Sequence, residues 1–166
     1  MKFKTLAILI ALSSTLCIAG KVYSHGNVLP QGADSSEMPD IEGGDEDEDG
    51  WVFENPYRST DGELKEQIVK FGESAYANNC AGCHGLHAQS GGINPDLRKL
   101  DPENFEDDEW YVERLRFGSA KGMPALGGIP EGQSAPILDQ KTLWSIKTYV
   151  EQRRVVAIEE GEIEGE

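Results

Sequence analysis

Cysteine, histidine and methionine each occur only three times in this chain of 166 residues. So few cysteines exclude a disulfide-built scaffold. Basic residues are also scarce, with 15 Lys and Arg against 30 Asp and Glu and a formal net charge of −15. Nucleic acid and anionic membrane surfaces repel such a chain, and a basic patch on a partner attracts it. No apolar run reaches the roughly 20 residues that a membrane-spanning helix needs. Alternating apolar and polar strands are absent, as is any internal repeat.

The longest apolar stretch, "TLAILIALSSTLCIAG", follows Met1-Lys2-Phe3-Lys4. A basic start, a short apolar middle and small residues before a cut describe an export signal. Val22 and Ser24 place the cleavage between Ser24 and His25, so residues 1–24 are expected to be a leader, and no membrane anchor is expected to remain. The mature chain then loses Cys17, Lys2, Lys4 and Lys21, leaving 12 basic and 30 acidic residues and a charge of −18. Both remaining cysteines lie within "CAGCH", residues 80–84.

The rest divides into three parts. Residues 25–61, with "PQGADSSEMPDIEGGDEDEDG", are too polar to offset the entropy of ordering and predict an extended or disordered arm. Trp51, Phe53 and Tyr57 near its end could pin it to a globular body. Residues 62–154 carry three helical patterns. The first spans Gly62 to Asn79 with an apolar stripe of Leu64, Ile68, Phe71, Ala75 and Tyr76. The second starts near Asp107 and Asp108 and stops at Gly118. The third starts at an N-cap, Asp139, and runs to Arg153-Arg154, whose charges suit a helix C-terminus. Residues 155–166, "VVAIEEGEIEGE", are expected to be a loose acidic tail. The Gly- and Pro-rich loops joining the helices are long for so small a domain unless they wrap something.

Cys80, Cys83 and His84 in "NNCAGCHG" allow a redox dithiol, half of a zinc site or a covalent haem. Export to an oxidising compartment and the lack of a βαβ setting disfavour the dithiol. Zinc would need two further ligands, and His87 and His25 are poorly placed for them. C-x-x-C-H is the attachment sequence of haem c: each thiol adds across a vinyl group, and the histidine faces the iron. One covalent haem would also explain the thin core and the long loops. After His84 the only methionine is Met123, in "KGMPALGG"; it is either a core gap-filler or the sulfur ligand on the opposite face. Met38 could compete only if the arm folded over the haem. Pro95, in "GGINPDL", is the candidate carbonyl acceptor for the second ring nitrogen of His84. Gly72, Tyr76 and Cys80 stand at four-residue steps, which makes Gly72 a flat spot for the third helix to cross.

These residues resemble a class I c-type cytochrome over residues 62–154, an all-α fold of three main helices and long Gly/Pro loops around one covalent haem. "HGNVLPQ", "NPYR", "GESAYANNCAGCHGLHAQSGGINPDLR", "DDEWYVERLRFGSAKGMP" and "LWSIKTYV" are similar to a narrower group, the periplasmic cytochrome c-550 type of quinoprotein ethanol dehydrogenase systems. The resemblance implies haem held by Cys80 and Cys83, and iron ligated by His84 and Met123. It further implies a periplasmic, non-enzymatic electron carrier. Electrons would come from a pyrroloquinoline quinone (PQQ)-dependent alcohol dehydrogenase and go to a terminal oxidase or another cytochrome. A monomer is expected. "EGGDEDEDG" and "IEEGEIEGE" depart from the pattern. The other readings are a cytochrome serving a methanol dehydrogenase, a fixed subunit of one dehydrogenase complex, and a haem enzyme or sensor with an open sixth site.

Three features are weighed and set aside. Asp45, Asp47 and Asp49 begin like a calcium loop, but Pro56 stands where its bidentate glutamate belongs, so a solvated charge run is expected. His25 and His87 read as a terminus and a surface residue. Arg98, Arg114, Arg116 and Lys121 are unranked candidates for haem propionates.

Overall fold

A computed structural model describes residues 30–129, 131–132 and 134–165. The leader expected at 1–24, its cleavage after Ser24 and His25 lie outside the described residues. Among these residues there are five α-helices and no strand, only an isolated bridge between Glu46 and Val52. The helices are α1 (Gly62–Asn79), α2 (Ala81–His84), α3 (Pro102–Glu106), α4 (Asp108–Phe117) and α5 (Gln140–Glu159). Single 3-10 turns at Leu86–Ala88 and Leu97–Lys99 punctuate the loops. The all-α class holds, and the three long helices are the three read from periodicity.

Their ends follow from capping. Asp107 accepts a hydrogen bond from the amide of Trp110, and Asp139 accepts one from Thr142, as side-chain caps do. Proline at the start of α3 loses no helical bond there. The C-terminus of α5 differs from the expectation. The helix runs past Arg153-Arg154 to Glu159, because Val155, Val156, Ala157 and Ile158 continue its pattern and Ala157 is fully buried.

The core is built by α1 crossing α5. A Cβ on Gly72 would lie 2.0 Å from the carbonyl oxygen of Ser145, so only glycine lets the backbones approach this closely. Around the crossing, Ile68, Tyr76, Trp144, Ile146 and Tyr149 are buried, each contributing roughly 1.5–3 kcal/mol of apolar burial. Tyr76 and Tyr149 stack at a tilt, with ring centroids 5.4 Å apart. Leu64, expected on the stripe, is instead exposed on the first turn of α1. The middle of α5 is enclosed on every side, and several of its polar groups find partners within the fold. Ser145 donates to the Lys141 carbonyl at 2.7 Å, Thr148 to that of Trp144 at 2.9 Å, and Lys147 to that of Phe105.

From residue 30 the arm is extended and laid against this body rather than loose. Trp51, Val52 and Tyr57 are buried, and the Tyr57 hydroxyl donates to the Pro39 carbonyl at 2.8 Å. The Asn55 amide donates to the Asp108 carboxylate at 2.7 Å, and its side chain donates to Thr148 and Glu151. Arg58 bridges Asp108 and Glu151 at 2.7 and 2.8 Å. A composition too polar to build a core of its own borrows one by docking.

Candidate functional site

Cys80 closes α1 and opens the single turn α2. The amides of Cys83 and His84 bond back to the Cys80 carbonyl at 3.1 and 2.9 Å. Residues three and four apart share a helix face, so this turn puts both thiols and the imidazole on one side. Both cysteines are free thiols. Burial pushes the Cys80 thiol up to about 12, with Cys83 adding to the shift. The reactive thiol of a redox dithiol has a lowered pKa, whereas that of Cys80 is raised. No group of three or more His, Cys, Asp or Glu side chains among the described residues is arranged to hold a metal ion.

His84 is half-buried, and its Nδ1 lies 2.9 Å from the Pro95 carbonyl oxygen. With Nδ1–H donating there, Nε2 keeps its lone pair for a metal. Pro95 is held in turn by a clamp that the sequence did not reveal. Asp96 accepts from the Arg98 amide at 3.0 Å and pairs with its guanidinium at 2.9 Å. Arg98 also reaches Glu162 of the acidic tail at 2.5 Å and is 1 % exposed. Burial would raise the Asp96 carboxyl, but the Arg98 hydrogen bonds outweigh it and hold the pKa below the ordinary value. The tail, expected to be loose, thus joins the Asp96–Arg98 pair that directly follows the acceptor of the histidine.

Met123 is half-buried on a loop that both begins and ends at α4. Gly118 stops the helix at a φ of 69°, and a Cβ there would sit 2.3 Å from the Met123 carbonyl oxygen. The Ser119 amide donates to that same carbonyl at 2.9 Å, closing a turn. On the return, the amides of Leu126 and Gly127 both donate to the Leu115 carbonyl, at 2.7 and 2.9 Å. The Met123 side chain packs against the apolar core, as does Met38 of the arm.

Two observations test whether these residues fit a large flat prosthetic group. Leu86 and Ile93 on the histidine side, and Phe117 and Ile129 on the methionine side, are bulky apolar residues left exposed. Apolar surface left open beside a candidate site marks a place for a ligand. The indole Nε1 of Trp144, a residue 1 % exposed, has no hydrogen-bond partner among the described residues. Trp144 stacks on Tyr111, with ring centroids 5.5 Å apart. Exposed apolar residues that flank the motif and Met123 in the chain, an unpartnered buried donor and an N/S donor set together fit a haem.

Comparison with known proteins decides the family. Residues 68–150 match the family model described as cytochrome C oxidase, cbb3-type, subunit III. A cytochrome c550 of Pseudomonas aeruginosa is 38 % identical over 140 residues, covering 84 % of this chain and 88 % of that protein.

The chain belongs to the cytochrome c family.

As a member it is an electron-transfer protein with haem c as its cofactor, not an enzyme. A quinohemoprotein alcohol dehydrogenase, ADH-IIG of Pseudomonas putida, is 50 % identical over 38 residues. That match covers 23 % of this chain and 5 % of the dehydrogenase. No solved structure matches the chain. No described helix is long and apolar enough to cross a membrane.

Of the propionate candidates, Arg98 is committed to Asp96 and Glu162, and Arg116 to Asp47 and Asp49. Arg114 lies 5.3 Å from the ring centroid of Trp110, and Lys121 is exposed. Two aspartates of "DEDEDG", Asp47 and Asp49, are therefore paired, while Asp45, Glu46 and Glu48 are exposed as a solvated run would be. Asp47 caps the amides of Asp49 and Trp51 at 2.9 Å each, and it turns its other oxygen to Arg116.

Proposed function

We propose that this cytochrome is a periplasmic mono-haem carrier. It takes single electrons from a PQQ-dependent alcohol dehydrogenase, ethanol being the foremost substrate, and passes them toward a terminal oxidase or another cytochrome. The observation that carries the reading is the α2 turn: Cys80, Cys83 and His84 on one face, with the imidazole oriented by Pro95. In this reading Cys80 and Cys83 would hold one haem through thioethers, and His84 Nε2 and the Met123 sulfur would ligate its iron. Bound haem c supplies an iron that gains and loses one electron, and sulfur ligation raises its potential and closes it to small molecules.

The remaining work belongs to the protein. Pro95 fixes the ring orientation and tautomer of His84, and the loop from Gly118 to Gly127 presents Met123. Tyr76 donates to the Gly85 carbonyl at 2.9 Å and fixes the chain just after the histidine. A net charge of −15 for the whole chain favours docking on a basic surface. The similarity to a cytochrome c550, and the short match to a quinohemoprotein alcohol dehydrogenase, support the donor assignment.

Stopped-flow reduction of the purified holoprotein by quinoprotein dehydrogenases, each with its alcohol, tests the donor. Fast reduction by an ethanol-oxidising enzyme, slowing as salt screens the charges, is the expected outcome. Failure of every such dehydrogenase to reduce it, or faster reduction by a methanol-oxidising one, would overturn the assignment.

A further inference from the structure

The acidic segment Asp47–Trp51 bears on the methionine loop through one arginine. Arg116, the penultimate residue of α4, pairs with Asp47 and, at 2.6 Å, with Asp49. Its guanidinium lies between two rings, 5.0 Å from the centroid of Trp51 and 5.1 Å from that of Phe117. Arg116 is also where the loop returns: a Cβ on Gly128 would stand 2.7 Å from the Arg116 carbonyl oxygen. Trp51 presses on the same return. A Cβ on Gly127 would meet Cη2 of Trp51 at 2.8 Å and Cδ1 of Leu143 at 2.7 Å. Gln140 secures the strap from behind, donating to the Gly50 carbonyl at 2.6 Å and accepting from the Val52 amide at 3.0 Å. The acidic segment, α4 and the foot of the loop form one clasp.

We propose that Asp47, Asp49 and Trp51 are positioning residues for Met123: gripped by Arg116, the acidic strap closes over the return of the loop and holds the sulfur on the iron. The proposal rests on the reading of Met123 as the iron ligand. It gives the charge-rich segment a task in tuning the site, separate from recognition of a redox partner. Strap and ligand are joined through the loop, so weakening the strap raises the fraction of time the sulfur is away. Two part-exposed ion pairs, each worth up to ~1 kcal/mol, set an effect of about tenfold.

The test uses ferric holoprotein and displacement of the sulfur by added imidazole, followed through loss of the sulfur-to-iron charge-transfer band. Global stability is read in parallel from helical circular dichroism in urea. The double variant Asp47→Asn with Asp49→Asn keeps the oxygen acceptors that cap the Asp49 and Trp51 amides and removes only the charges. Asp40→Asn is the control, since Asp40, on the same arm as the strap, pairs at 2.6 Å with Lys141 of α5 and not with Arg116. The expected result is displacement about tenfold faster in the double variant and near wild type in Asp40→Asn, with urea midpoints lowered in each by no more than the lost ion pairs account for. Asp49→Asn alone should give a smaller rise of the same sign. An unchanged rate, or a rise shared by Asp40→Asn in proportion to lost global stability, would overturn the proposal. Met123→Ala separates the two layers. If that variant kept the charge-transfer band, the ligand assignment would fall and the strap proposal with it; if the band vanished, the displacement rates alone decide.

Discussion

On the histidine side, the candidate ligand sits in a helical turn, its ring is tied to Pro95, and Pro95 is followed by a clamp around a fully buried arginine. On the methionine side, the candidate ligand rides on a loop whose feet rest on the end of α4, held through an arginine paired with part-exposed aspartates. Both sides use one arginine and an acidic segment from outside the three long helices. They differ in burial: Arg98 and Asp96 side chains are 1 % and 9 % exposed, whereas Asp49 is 72 % exposed. A buried pair is costly to break from one side, and an exposed pair opens at little cost. The methionine side should therefore be the one that moves.

The largest expected effect separates the two ligands outright. His84→Ala should abolish recoverable holoprotein, because it removes the group that the α2 turn and Pro95 are built to orient. Met123→Ala should give a folded haem protein that turns high-spin and binds carbon monoxide when reduced. If both variants lost haem equally, the two sides would not differ as described.

A smaller difference is expected between the arginines. Arg98→Ala leaves Asp96 without its partner and should cost about 3 kcal/mol in urea unfolding, the range for a broken buried pair. Arg116→Ala should cost about 1 kcal/mol globally and show itself mainly in displacement of the sulfur. Equal losses of stability would contradict the contrast in burial.

Acid supplies the mildest probe. The Asp96 carboxyl is burdened by burial, but Arg98 holds its pKa below the ordinary value; that of Asp47 is lowered first by the Trp51 amide, against a burial cost. A carboxyl whose folded pKa is depressed adds stability above its unfolded pKa, near 4, and that stability is lost as pH falls through the folded value. Unfolding midpoints should thus fall below about pH 4, and less steeply in Arg98→Ala. An acid profile unaltered by Arg98→Ala would remove Asp96 from the account.

What could be read from the residues was local. The bounds of α1, the Asp107 and Asp139 caps, Gly72 at the crossing and the proximity of His84 to Pro95 all follow from short-range spacing. The bounds, the caps and Gly72 rest on helical periodicity, and Pro95 stands only eleven residues from His84. The clamps did not follow, because Arg98 to Glu162 and Arg116 to Asp47 join residues more than sixty positions apart. A charge run looks the same whether water or one distant guanidinium faces it. Arg98 and Arg116 were read as candidate propionate partners for the same reason: a basic residue announces its charge and not its counter-ion. The α5 extension was legible in principle, since the apolar run after Arg154 continues the helix, but a basic pair that suits a C-terminus hid it.

Intact mass of the mature protein, produced in cells with haem-ligation machinery, tests the central assignment most directly. The account predicts the polypeptide plus one haem, retained under denaturation, with no titratable thiol at Cys80 or Cys83. A colourless product at the bare polypeptide mass, with both thiols free to react, would contradict it.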